Sequence, residues 1–103
     1  MELEELVSRN FKPRDDLMES AESFIQEELK RLPATGQVKA VITDQGASFN
    51  ISMVAKADNK IFSSEVNHVK AQMVGAPRLW QLDSLRLVLN DLVRQIRRHL
   101  KLE

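Results

Sequence analysis

The chain has 103 residues, and its 15 lysines and arginines are balanced by 15 aspartates and glutamates, leaving no net charge. Hydrophobic residues make up 43% and charged residues 29%, an ordinary balance for a soluble globular domain, and this length supports one compact core but not two. Neutrality removes any global field that would draw the chain to nucleic acid, and the absence of cysteine excludes disulfides and thiol chemistry.

The opening MELEELVSRN is acidic and broken by charge, unlike a secretory signal. No apolar run approaches the ~20 residues of a spanning helix. The expectation is a single domain over 1–103, cytoplasmic, without membrane contact. Residues 1–13 read either as a short first strand or as a helical lead-in. Pro13 suits the first turn of a helix, and Asn10 or the Asp15–Asp16 pair is placed to cap it.

From about residue 14 to 32, Leu17, Met18, Ala21, Phe24, Ile25, Leu29 and Leu32 recur at spacings of three and four, which predicts an amphipathic helix. Its other face carries Asp15, Asp16, Glu19, Glu22, Gln26 and Glu27, with Lys30 and Arg31 at its end, an order that complements the helix dipole. Pro33 and Gly36 stop it. Next, Val38, Ala40 and Ile42 alternate with Lys39, Val41 and Thr43, and Phe49, Ile51, Met53 and Ala55 alternate with Ser48, Asn50, Ser52 and Val54. A third alternating run begins near Lys60 and carries Phe62, Ser64 and Val66. DQG at 44–46 and DN at 58–59 read as tight turns, so the three strands predict an antiparallel meander.

The segment at about 69–81 has no regular pattern, is broken by Gly75-Ala76-Pro77, and reads as a loop insertion. From about Leu82 to Leu100 a last helix is expected. At ~100° per residue, Leu82, Leu85, Leu89, Leu92, Val93, Ile96 and Leu100 fall on one face, and Arg86, Asn90, Arg94, Arg97 and Lys101 on the other, with Arg98 beside them. Two helices with one apolar face each are best buried on one side of the sheet. The predicted fold is therefore α+β: two helices on one face of a small, mainly antiparallel sheet of three to four strands, in the order (β)-α-β-β-β-α.

No phosphate-cradling glycine motif, nucleophile elbow or metal-ligand spacing is present. His68 and His99 lie in different elements and read as surface residues. Asp15 and Asp16 diverge by ~100° on a helix, so they do not form an acid–base pair. The chain is expected not to be an enzyme and to need no cofactor. What remains is the basic stripe. Its plain reading is a solvated helix face favoured by the dipole. Its functional reading is a phosphate contact, supported by arginine outnumbering lysine, since the planar guanidinium binds two oxygens at once.

Three stretches carry a resemblance: SRNFKPRDDLMESAESFIQEELKRL, QVKAVIT followed by ASFNISMVAKADNKIFSSE, and LDSLRLVLNDLVRQIRRHLK. In this order they resemble the ribosome hibernation factors, also called ribosome-associated translation inhibitors or sigma-54 modulation proteins, in the short form without a C-terminal extension. The resemblance covers most of the chain. It implies a strand, a helix, three strands and a helix, a cytoplasmic protein, and binding to the small ribosomal subunit in the mRNA and tRNA channel, which blocks translation and preserves idle ribosomes. Carried over by position, the residues implied to contact ribosomal RNA are Arg86, Arg94, Arg97, Arg98 and Lys101, with Lys30 and Arg31 as weaker candidates. The family usually places more positive charge on its first helix; here Asp15, Asp16, Glu19, Glu22 and Glu27 would repel phosphate.

Two other readings accompany this one. A protein-interaction or homodimerisation module on the same fold would use the sheet edge or Met73, Val74, Leu79 and Trp80. Double-stranded RNA binding also matches the helix–strands–helix order, but it uses basic residues at the start of its last helix, whereas here they come late.

Overall fold

The computed structural model describes residues 1–70 and 77–101, and side chains outside 77–82. Its elements are β1 (Glu2–Arg9), α1 (Asp15–Leu29), β2 (Gly36–Asp44), β3 (Ser48–Ala57), β4 (Lys60–Val69) and α2 (Pro77–His99). The four strands form one sheet in the order β1-β2-β3-β4. β1 pairs with β2 in parallel, while β2–β3 and β3–β4 are antiparallel. The first thirteen residues thus supply an edge strand. Its register shifts between Leu3 and Glu5, so Glu4 bulges out and Leu3 and Leu6 keep the inward side of Val38 and Ala40.

Alternation decides which sheet face is buried. Val38, Ala40, Ile42, Ile51, Met53, Ala55 and Ala57 are almost fully buried, while their neighbours along each strand point to the open face. Leu17, Ala21, Ile25 and Leu29 of α1, with Leu85, Val88, Leu89, Leu92 and Ile96 of α2, close over that side. α1 lies against β1, α2 lies against β3 and β4, and the helices touch each other. The expected two-layer arrangement is the one observed.

Three local expectations are corrected. The last helix starts at Pro77, not near Leu82, so 77–81 is helical; proline lacks only an N–H that the first helical turn leaves unbonded anyway. Residues 71–76 lie outside the described residues. No side chain caps α1: Arg14 is its N-cap residue, Asp16 pairs with the Arg14 guanidinium at 3.1 Å, and Asn10, at φ 66°, donates Nδ2–H to the Asp44 carbonyl. α1 ends at Leu29 with Lys30 as its C-cap; the Lys30 N–H bonds back to the Gln26 carbonyl and the Arg31 N–H to that of Glu28.

Both predicted turns form. Asp44 Oδ1 accepts from the Gly46 N–H at 2.8 Å, and Gly46 takes a left-handed φ of 88°. Asp58 and Asn59 have φ values of 51° and 63°, the paired left-handed conformation of a two-residue hairpin turn.

Candidate nucleic-acid interface

The inner stripe of α2 fixes what its outer face displays. With Leu85, Val88, Leu89, Leu92 and Ile96 on the core, Arg86, Asn90, Asp91, Arg94, Arg97, Arg98 and Lys101 are all exposed. Arg94 to Lys101 spans about 10 Å along the axis at ~1.5 Å per residue, so the four cations there sit within two turns. Arg86 lies further toward the N-terminus. Its guanidinium stands over the Phe24 ring of α1 at 5.3 Å, which bridges the two helices.

Intramolecular pairing separates the cations. Among the described residues, Arg94, Arg97 and Lys101 make no ion pair. Asp91, the acid bordering the stripe, accepts instead from Gln95 Nε2 at 3.1 Å, and the same amide donates to the Ser63 carbonyl on the outer edge of β4 at 2.8 Å. Lys30 and Arg31 pair with Glu27 and the half-buried Glu28, each at 3.5 Å, and the other three side chains are exposed. Pairs so exposed contribute about 0–1 kcal/mol and break readily for a better partner.

Helix direction determines which of these residues gather. Gln26 Oε1 of α1 accepts from the Leu3 N–H, so the end of α1 lies by the start of β1. On α2, Ser84 Oγ meets His68 Nδ1 at the end of β4 (3.3 Å), and His99 packs on Phe62 near the start of that strand. Both helices therefore run against the direction shared by β1, β2 and β4, and both C-termini reach the same end of the molecule. Lys30, Arg31, Arg97, Arg98 and Lys101 collect there, at the partially negative ends of two helix dipoles. The acidic side chains Asp15, Asp16, Glu19 and Glu22 occupy the first half of α1. The two histidines read as surface residues are each engaged: His99 faces Asp58, and His68 is bound to the buried Ser84.

Met73 and Val74 of the alternative contact surface lie outside the described residues. Leu79 and Trp80 fall in the first turn of α2, where side chains are outside the description. Among the described residues no group of three or more histidines or carboxylates is placed to hold a metal ion, and no helix is long and apolar enough to cross a membrane.

An edge strand in parallel with its neighbour, a three-stranded meander and two codirectional helices on one face define an α+β two-layer sandwich. Solved structures share it. The N-terminal domain of Protein Y from Thermus thermophilus superposes with a TM-score of 0.70 at 14% identity, over 96% of this chain and 99% of that one. A ribosomal subunit interface protein from Coxiella burnetii gives 0.68 at 9% identity, over 96% and 97%. Both are members of the hibernation-factor family that the sequence resembles. At these identities the likeness establishes the fold. No family model and no curated protein matches the sequence.

Proposed function

We propose that this chain is a ribosome-associated translation inhibitor of the hibernation type, cytoplasmic, that binds the small ribosomal subunit through the basic face of α2. The observation that carries this reading is the exposed set Arg94, Arg97 and Lys101, cations that no described acid neutralises. Unpaired arginines on a rigid helix are pre-placed to take phosphate oxygens in bidentate fashion, without first breaking an internal pair. The fold shared with a ribosomal subunit interface protein supports the same partner. Attachment would be electrostatic and inhibition steric, by occupation of the channel that mRNA and tRNA need. No catalytic group is required.

The test is co-sedimentation with purified small subunits across a salt series. Recovery should fall steeply with salt, with a logarithmic slope of about 0.7–0.9 per phosphate engaged. The Arg94→Ala, Arg97→Ala, Arg98→Ala chain should stay folded and lose recovery. Its undiminished recovery would refute the assignment of this face.

A further inference from the structure

The basic end of the molecule includes an element that the spacing along α2 does not reveal. The β3–β4 hairpin turns at the same end, and it brings Lys56 and Lys60 there. We propose that the phosphate-binding surface continues from α2 over this end onto the hairpin, with Lys60 and Lys56 as further phosphate contacts and His99 holding the Asp58 carboxylate aside. The proposal rests on the reading of α2 as a phosphate-binding face and extends it.

The hairpin is a firm platform. Its loop has two residues, both in the left-handed conformation that matches the twist of the flanking strands. Lys60 pairs with Ala57, and Lys56 pairs with Ile61. Alternation along β4 puts Lys60 on the side of Phe62, whose ring centroid is 5.5 Å from that of His99. Lys60 thus borders the end of α2, while Lys56 lies on the opposite sheet face, around the corner. Both are exposed, and neither forms an ion pair among the described residues.

The acid in the turn, Asp58, is treated differently. His99 Nε2 lies 3.4 Å from Asp58 Oδ2. The ring belongs to the last turn of α2 and packs on Phe62, so the carboxylate is directed toward the helix end. The result is asymmetric: the one carboxylate of the turn is answered from within the protein, and the two ammonium groups flanking it are left for a partner. A phosphodiester chain lying along Arg94, Arg97 and Lys101 meets Lys60 next and can bend toward Lys56.

The experiment is fluorescence anisotropy of a labelled single-stranded RNA against the full chain over a salt series. The parent chain is compared with Lys56→Gln/Lys60→Gln, His99→Gln, and His99→Gln/Asp58→Asn, with circular dichroism as the control for folding. Loss of two contacts should lower the salt slope by about 1.4, at about 0.7 per phosphate on a single strand. His99→Gln should weaken binding, and adding Asp58→Asn should restore it. A parent chain that binds with an unchanged slope in Lys56→Gln/Lys60→Gln overturns this proposal alone. Failure of Asp58→Asn to rescue His99→Gln overturns the role given to His99. A parent chain that does not bind at all overturns the underlying reading, and this proposal with it.

Discussion

Lys70 and Arg14, at one end of the molecule, and Arg97, Lys101, Lys56 and Lys60, at the other, are used in opposite ways. At the end where β2 and β4 finish, Lys70 donates to Asp44 Oδ1 at 2.8 Å and stands 4.6 Å over the Phe49 ring, which meets Phe11 edge-on at 5.2 Å. Nearby, Arg14 is held by Asp16. Lys70 thus ties the end of β4 to that of β2, and Arg14 is held to the first turn of α1. At the other end, Arg97, Lys101, Lys56 and Lys60 tie nothing down among the described residues. A lysine that closes an internal pair has already replaced its water with protein, so an outside phosphate gains little from it. Charge composition alone, balanced at zero over the chain, conceals this division.

Positions along the buried faces of the two helices also differ in packing. Ile96 and Leu29, under the basic end, are fully buried, whereas Leu17, at the start of α1, keeps 7% of its surface. Truncation should sharpen the contrast. Ile96→Ala should cost about 2–5 kcal/mol, and Leu17→Ala should fall at or below the lower edge of that range, because a site near the surface relaxes more easily. Urea unfolding at constant m-value measures both. Equal losses would mean that the site around Leu17 relaxes no more than the one around Ile96.

Acid should act on the opposite end first. The hydrogen bond from Lys70, then that from the Gly46 N–H, hold the Asp44 carboxyl below its usual value of 3.8, against a smaller opposing effect of burial. A group depressed in the folded state adds stability that is present above its unfolded value and is lost as pH falls through the folded one. The contribution of Asp44 is therefore complete above pH 3.8 and disappears below it. Melting temperature followed downward from pH 5 should drop less steeply for Asp44→Asn than for the parent chain, with the two curves converging in acid. Parallel curves would show that the Asp44–Lys70 pair does not couple this end to pH.

How much of this was legible in the sequence depends on the range of the forces involved. α1 followed from the spacing of Leu17, Ala21, Ile25 and Leu29, because one helix turn is a local property. The hairpins followed from Asp44-Gln45-Gly46 and Asp58-Asn59, whose side chains and backbone preferences act within four residues. The stripe on α2 was legible for the same reason. β1 was not settled, since the strand it pairs with among the described residues is β2, some 35 residues away at Leu3↔Val38, and its Glu4 bulge breaks the alternation. Pro77 was read with Gly75 and Ala76 as a break in an irregular segment, but it stands at the first helical position. Ser84 and Val88 were left off the buried face of α2; the Ser84 hydroxyl is accommodated by His68, a partner on another element. Lys56 and Lys60 carry no spacing signal toward α2; only the return of the chain through β4 brings them to its end.

Lys101 sets the two demands on the basic end against each other. Its N–H bonds to the Arg98 carbonyl at 3.1 Å, and its φ of 59° places a side chain in the left-handed conformation that helix ends usually give to glycine. That conformation costs an ordinary residue about 1–2 kcal/mol. Lys101→Gly relieves it, while the added freedom of glycine in the unfolded chain takes back about 0.5–1 kcal/mol. The net expectation is a gain of up to about 1 kcal/mol, or a few degrees in Tm. The same change removes one exposed cation, so the salt slope for RNA should fall by about 0.7. A chain that melts higher yet binds less would show that the lysine is kept for its charge against the preference of the backbone. A chain that melts higher and binds equally well would move the phosphate contacts back toward Arg94 and Arg97, and would reduce the basic end to a consequence of the helix dipoles.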